Sequence, residues 1–170
     1  MSTSNAAPKL EPRFDKRGQF RLAGFSRIMT FDQVGEIPQL WQKFEGRWGE
    51  IPGQVDLVGY GVCFVPPDGN PGCFGYLAAI EIAADAELPD DMVEMTIPAH
   101  RYAIVPHTGH VTEFGNTIRA LSEEWLPQSG YAAPEPQPGA ALFYERYAED
   151  FNPNTGHGGM EVWQPLATNH

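Results

Sequence analysis

The sequence predicts an α+β fold of duplicated β-α-β-β modules with pseudo-twofold symmetry: antiparallel sheets, one helix per module, and a central ligand cleft. Three observations carry this. Ala99 to Gly130 reads as a strand, a turn and a helix, whose Val111, Phe114, Ile118, Leu121 and Trp125 recur at steps of three and four, one face of a 3.6-residue period. Leu22 to Gly53 aligns with that stretch without a gap, 77 residues earlier; only four of thirty-two columns are identical, but Val34, Ile37, Trp41, Phe44 and Trp48 repeat the spacing. Each helix is then followed by two apolar runs separated by a cluster of turn formers, so each half ends in a hairpin.

Taken in order, residues 1–18 are polar and aperiodic with two prolines, and are expected to be a loose tail. Phe20, Leu22, Phe25 and Ile28 mark a strand from Gln19 to Met29, with an irregularity expected near Gly24. The first helix follows, Asp32 as its candidate cap and Pro38 in its first turn, where a missing N–H does little harm. Leu57–Val65 and Cys73–Ile82 flank PPDGNPG as a hairpin. Ala83–Asp91 is an acidic surface crossing, and Met92–Ile97 alternates as a strand would. After the second helix a proline-rich loop leads to Ala141–Tyr147 and Met160–Leu166, the second strand pair. The expected organisation is one domain over 19–167, with module one at about 19–83 and module two at about 92–166.

Charge narrows the partners. The chain has 22 acidic and 11 basic residues, a net charge of −11, which repels phosphate backbones and favours cations. Direct nucleic-acid binding is therefore not expected. The N-terminus lacks the apolar core of a signal peptide and no segment reaches eighteen uninterrupted apolar residues, so a cytoplasmic location without a membrane span is expected. Cys63 and Cys73 fall on the two strands of one hairpin, where a disulfide is conceivable, but two small buried thiols are the expectation. His107 and His110 flank a glycine-containing turn with no second ligand pair at a known spacing, so no metal is expected. No glycine-rich loop joins a strand to a helix, which leaves a nucleotide cradle, or any cofactor, unsupported.

Strand alternation selects the candidate binding residues. Phe143, Glu145 and Tyr147 share one face, and a glutamate between two aromatics suits a pocket receiving a cation, or else a solvent-facing strand. Glu161 and Trp163 share a face of the last strand; turned into the cleft they would put a second carboxylate and an indole near Glu145, whereas turned away Trp163 simply fills the core. Tyr60, Phe64 and Tyr76 on the first hairpin could wall the cleft or pack under a helix, as could Phe74. Glu81 interrupts an apolar strand and either faces the pocket or emerges into solvent. Trp41, Trp48 and Trp125 lie on the helical stripes and read as core.

The run IPAHRYAIVPHTGHV, the helix ending EEWLPQSGY, then FYERY and MEVWQPL resemble the GyrI-like small-molecule-binding superfamily, which includes the effector-binding domains of multidrug-responsive and AraC-type bacterial transcription regulators. The resemblance spans roughly Gly18 to Leu166. It implies two β-α-β-β modules around an aromatic pocket for lipophilic, often cationic, small molecules, with a carboxylate at the floor. That carboxylate maps to Glu145, and the aromatic walls to Tyr147 and Trp163. The reading is thus a stand-alone binding domain. An alternative drawn from the same family is a hydrolase of strained electrophiles, with Glu145 and Trp163 as its catalytic residues. A third is a protein–protein inhibitor, since the family's namesake acts on DNA gyrase, so a protein partner stays open.

Overall fold

A computed structural model describes residues 10–167. Its strands are β1 (Arg13–Arg17), β2 (Phe20–Thr30), β3 (Gln54–Phe64), β4 (Cys73–Ile82), β5 (Val93–Ile97), β6 (His100–Pro106), β7 (Ala141–Tyr147) and β8 (Met160–Leu166). All eight lie in one antiparallel sheet ordered β1-β6-β8-β7-β3-β4-β2-β5. Read inward from either end the order is equivalent, β1-β6-β8-β7 against β5-β2-β4-β3, so the halves meet at the β3–β7 pair about a pseudo-twofold.

The outermost strands are exchanged between the halves. β1 pairs with β6 of the second half, while β5, expected to open module two, pairs with β2 of the first. Residues 13–17 correct the expectation of a loose tail: RFDKR has little apolar alternation because it is an edge strand with its side chains mostly in solvent. Residues 1–9 of that tail lie outside the described residues.

The first helix is shorter than its apolar stripe implied. A 3₁₀ turn over Phe31–Glu36 leads into α1 (Ile37–Gln42), and the chain then continues to Gly49 as turns, Gly46 and Gly49 taking positive φ of 81° and 84°. Trp48, read as core, is accordingly 38% exposed. In the second half α2 (Phe114–Arg119) runs through a wider π-helical stretch at Ala120–Trp125 into α3 (Leu126–Ser129). The widening precedes Pro127, whose ring would otherwise meet the carbonyl four residues back.

The gapless 77-residue register holds for the helices, since α1 and α2 stand 77 residues apart and Gly53 and Gly130 both take positive φ, 77° and 85°. It fails for the strands. Phe25, aligned with Tyr102, packs against Phe44 on the helical side, whereas Tyr102 packs against Tyr144 and Trp163 on the other. Strand pairing instead equates Arg21, opposite Ile82 and Thr96, with Arg101, opposite Leu166 and Lys16, an offset of 80.

One face of the sheet buries Leu22, Tyr60, Tyr102, Tyr144 and Trp163 against one another. The sheet curls around this cluster: Phe20 of β2 stands 5.8 Å from Tyr144 of β7, and Arg17 on β1 reaches Tyr60 and Glu81 in the opposite half. The other face carries the helices: Leu40 of α1 and Phe44 just after it pack with Phe25 and Ile80 of the sheet, and Phe114 of α2 and Leu121 pack with Val162.

Candidate ligand-binding site

At the centre of the helical face, next to the pseudo-twofold, stands Glu145. Alternation along β7 points Phe143, Glu145 and Tyr147 toward the helices, with Tyr144 directed into the opposite core. The Oε1 atom of Glu145 accepts hydrogen bonds from the hydroxyls of Tyr76 (2.9 Å) and Tyr147 (2.7 Å). Tyr76 in turn accepts from Trp41 Nε1 at 3.1 Å, so α1, β4 and β7 converge on one carboxylate. Among the described residues Oε2 accepts no hydrogen bond, and no cation lies within ion-pair distance of the group.

The space for this cluster comes from glycine. Gly61 lies directly across the β3–β7 pair from Glu145, where the pseudo-symmetry would set a second side chain. A Cβ there would come within 2.1 Å of the Tyr76 hydroxyl and 2.5 Å of Glu145 Oε1. The rings surround the carboxylate: Trp41 meets Tyr147 edge-on at 5.6 Å, and Phe114 of α2 and Phe151 stand 5.9 and 5.0 Å from Tyr147.

Electrostatics follow from burial. Loss of solvent pushes the Glu145 carboxyl above its ordinary value, and the two tyrosine donors offset that only in part. The Tyr76 and Tyr147 hydroxyls are pushed well up by burial and by the neighbouring Glu145 charge. Cys63, on the same face, is raised well above the usual thiol for the same two reasons, so it is an inert free thiol, as is the separately placed Cys73 a free one.

The structure divides the sequence-predicted residues. Phe143, Glu145, Tyr147 and Tyr76 come together on the helical face. Tyr60, Phe64 and Trp163 lie in the core of the opposite face, with Trp163 stacked on Tyr144 at 5.7 Å. Glu161 accepts from Trp163 Nε1 and pairs with Arg13; burial works to raise its carboxyl, but those partners outweigh it and hold it below the ordinary value. Glu81 is taken by Arg17. The expectation of Trp163 and Glu161 beside Glu145 is thereby corrected. Tyr144 pairs with Trp163 and Glu145 with Val162, so alternation sends Glu145 and Trp163 to opposite sides of the sheet, too far apart in orientation to act as a catalytic pair on one substrate.

Trp41, read from sequence as core, Cys63, read as a small buried thiol, and Gly61, not singled out, all belong to the cluster. Trp41 carried one usable signal, an indole N–H that needs a partner when half-buried. Two surface cavities, about 520 and 630 Å³, open at the starts of β2 and β6, and neither is lined by Glu145. His107 has Nδ1 2.7 Å from Thr117 Oγ1 and Nε2 2.8 Å from the His110 carbonyl, tying the end of β6 to α2.

The family model of the GyrI-like small molecule binding domain matches residues 10–167. A 122-residue stretch is 32% identical to the transcriptional regulator BrlR of Pseudomonas aeruginosa, covering 70% of this chain and 43% of BrlR, so the chain spans less than half the length of that relative. The structure of SAV2435 bound to tetraphenylphosphonium superposes with a TM-score of 0.68 at 18% identity, over 93% of this chain and 94% of that one. The C-terminal domain of EcmrR superposes with a TM-score of 0.62 at 11% identity, over 94% and 99%.

Proposed function

Because the chain belongs to the GyrI-like small-molecule-binding family, we propose that it captures lipophilic organic cations at Glu145, on the helical face of the sheet. The observation that carries this is a half-buried carboxylate among aromatic rings with no cationic partner among the described residues. A half-buried ionised group in that setting has lost part of its hydration without gaining a counter-charge, and an arriving cation supplies one. Trp41 and Tyr147 add their ring faces, which attract a cation and bury its apolar substituents. The complex of SAV2435 with tetraphenylphosphonium supports the ligand class.

Trp41 borders the site. Its helix is six residues long and is followed by turns, so a small displacement of α1 breaks the Trp41–Tyr76 hydrogen bond and widens the space beside the half-buried carboxylate. Direct DNA contact is not part of the proposal, since a chain of charge −11 gains nothing from counterion release. The likeness to the transcriptional regulator BrlR supports a regulatory use of the captured ligand.

Tetraphenylphosphonium and the neutral triphenylphosphine oxide provide the test, titrated by tryptophan fluorescence against wild type and Glu145→Gln. The amide keeps the shape and deletes the charge. The cation should lose about 1–3 kcal/mol, or roughly ten- to a hundredfold in Kd, while the neutral compound changes little. Equal cation binding by both proteins, with folding confirmed, would overturn the reading.

A further inference from the structure

The pseudo-symmetry exposes an unanswered charge. Arg21 at the start of β2 is neutralised by Glu94 on the neighbouring β5, and it also donates to the carbonyls of Ala83, Ala84 and Ala86. Its counterpart at the start of β6 is Arg101, with β1 as the neighbouring strand. Pair by pair, Thr96 opposite Arg21 becomes Lys16 opposite Arg101, and Glu94 opposite Ala23 becomes Phe14 opposite Ala103. The carboxylate is replaced by a phenyl ring, and a second cation is added.

Two like charges directly across an antiparallel pair repel each other. Among the described residues neither Lys16 nor Arg101 forms an ion pair. Both line the cavity of about 630 Å³ at the start of β6, together with Arg17, His100 and Tyr131 and, among the described residues, without any Asp or Glu. The Arg101 guanidinium lies 5.2 Å from the Phe14 ring centroid and 5.8 Å from that of Tyr131, which hold it at the cavity rim. A basic hollow of this kind is out of keeping with a chain carrying twice as many acids as bases.

We infer that this hollow is a second ligand site, which takes a small aromatic anion bearing a carboxylate or phosphate. The acid group does for Arg101 and Lys16 what Glu94 does for Arg21, and the ring lies against Tyr131. Arg101 would hold the anion through two N–H donors, with Lys16 as a point charge beside it. The site lies on the outer pair β1–β6 and is independent of Glu145.

Benzoate, phenyl phosphate and neutral benzamide, titrated into the full chain and followed by ligand-observed NMR and by thermal shift, test it. At least one anion should bind saturably and raise the melting temperature, benzamide should do neither, and comparison of the two anions identifies the preferred acid group. Lys16→Thr, which copies the first half, and Arg101→Gln should each weaken that binding about tenfold or more and cut the anion-dependent shift, whereas Glu145→Gln should leave both unchanged. Lys16 is exposed, so its variant folds even if the Arg101 variant does not. Absence of saturable anion binding at roughly ten millimolar, or undiminished binding by Lys16→Thr, would overturn the inference.

Discussion

Two glutamates on neighbouring strands show how local partners decide what a residue can do. Glu161 has Arg13 at 2.7 Å and an indole donor, and its carboxyl is held below the ordinary value. Glu145 has only hydroxyl donors, and its carboxyl is raised by burial. Its sign in the stability balance follows. Between the unfolded carboxyl value and the raised folded one the native state holds more protons, so this group makes the protein less stable as pH rises through that window. Glu145→Gln should therefore be more stable than wild type at neutral pH, and the advantage should shrink as pH falls through the folded value. Urea denaturation of both proteins at a series of pH values checks this. Cation affinity of wild type should fall over the same window as the carboxylate takes up its proton, beginning above the pH expected of an exposed glutamate.

Among the elements, β1 has the least local reason to exist and the clearest structural task. Its side chains are mostly exposed, yet Arg17 at its end donates to Tyr60 at 2.7 Å and to Glu81 at 2.5 Å, with the Phe20 ring 3.5 Å away. Those partners lie on β2, β3 and β4, in the other half of the sheet, so this one side chain helps to hold the curl closed. Replacing it by methionine keeps an apolar stem but leaves the Tyr60 hydroxyl and Glu81 without their donor. The expected cost is about 1.5–3 kcal/mol, read from urea midpoints at constant slope. The α1 segment works in the opposite sense. Short, and followed by turns at Gly46 and Gly49, it should exchange its amide hydrogens sooner than β3 and β7, and slow on binding tetraphenylphosphonium.

For the molecule as a whole, the exchange of β1 and β5 makes the halves interdependent. Each edge strand completes the sheet of the other half, and the core cluster of Phe20, Tyr60, Tyr102, Tyr144 and Trp163 draws on both. The full chain should therefore unfold in one cooperative transition, with near-UV and far-UV circular dichroism coincident. Fragments 10–91 and 92–167 should show none separately, and a cooperative melt of either fragment alone would contradict the fold's logic.

Periodicity made the two-module plan legible, because a helix on a sheet must repeat its apolar residues every three to four positions and a half-buried strand every two. Hence β4, β7 and β8 carry the bounds their apolar runs imply, Glu145 shares its face with Phe143 and Tyr147, and the helices keep their 77-residue offset. Alternation states which residues share a face but not which face of one strand adjoins which face of the next. Only the strand pairing of the folded chain decided that Tyr76 joins Glu145 while Trp163, Tyr60 and Phe64 turn away. The pairing of β1 with β6 was equally out of reach, since a solvated edge strand carries almost no apolar signal and its partner lies more than eighty residues along the chain. The lone Arg101 became visible only when Arg21 could be laid beside it in three dimensions, because a charge counts as unanswered only relative to the neighbours that the tertiary structure supplies.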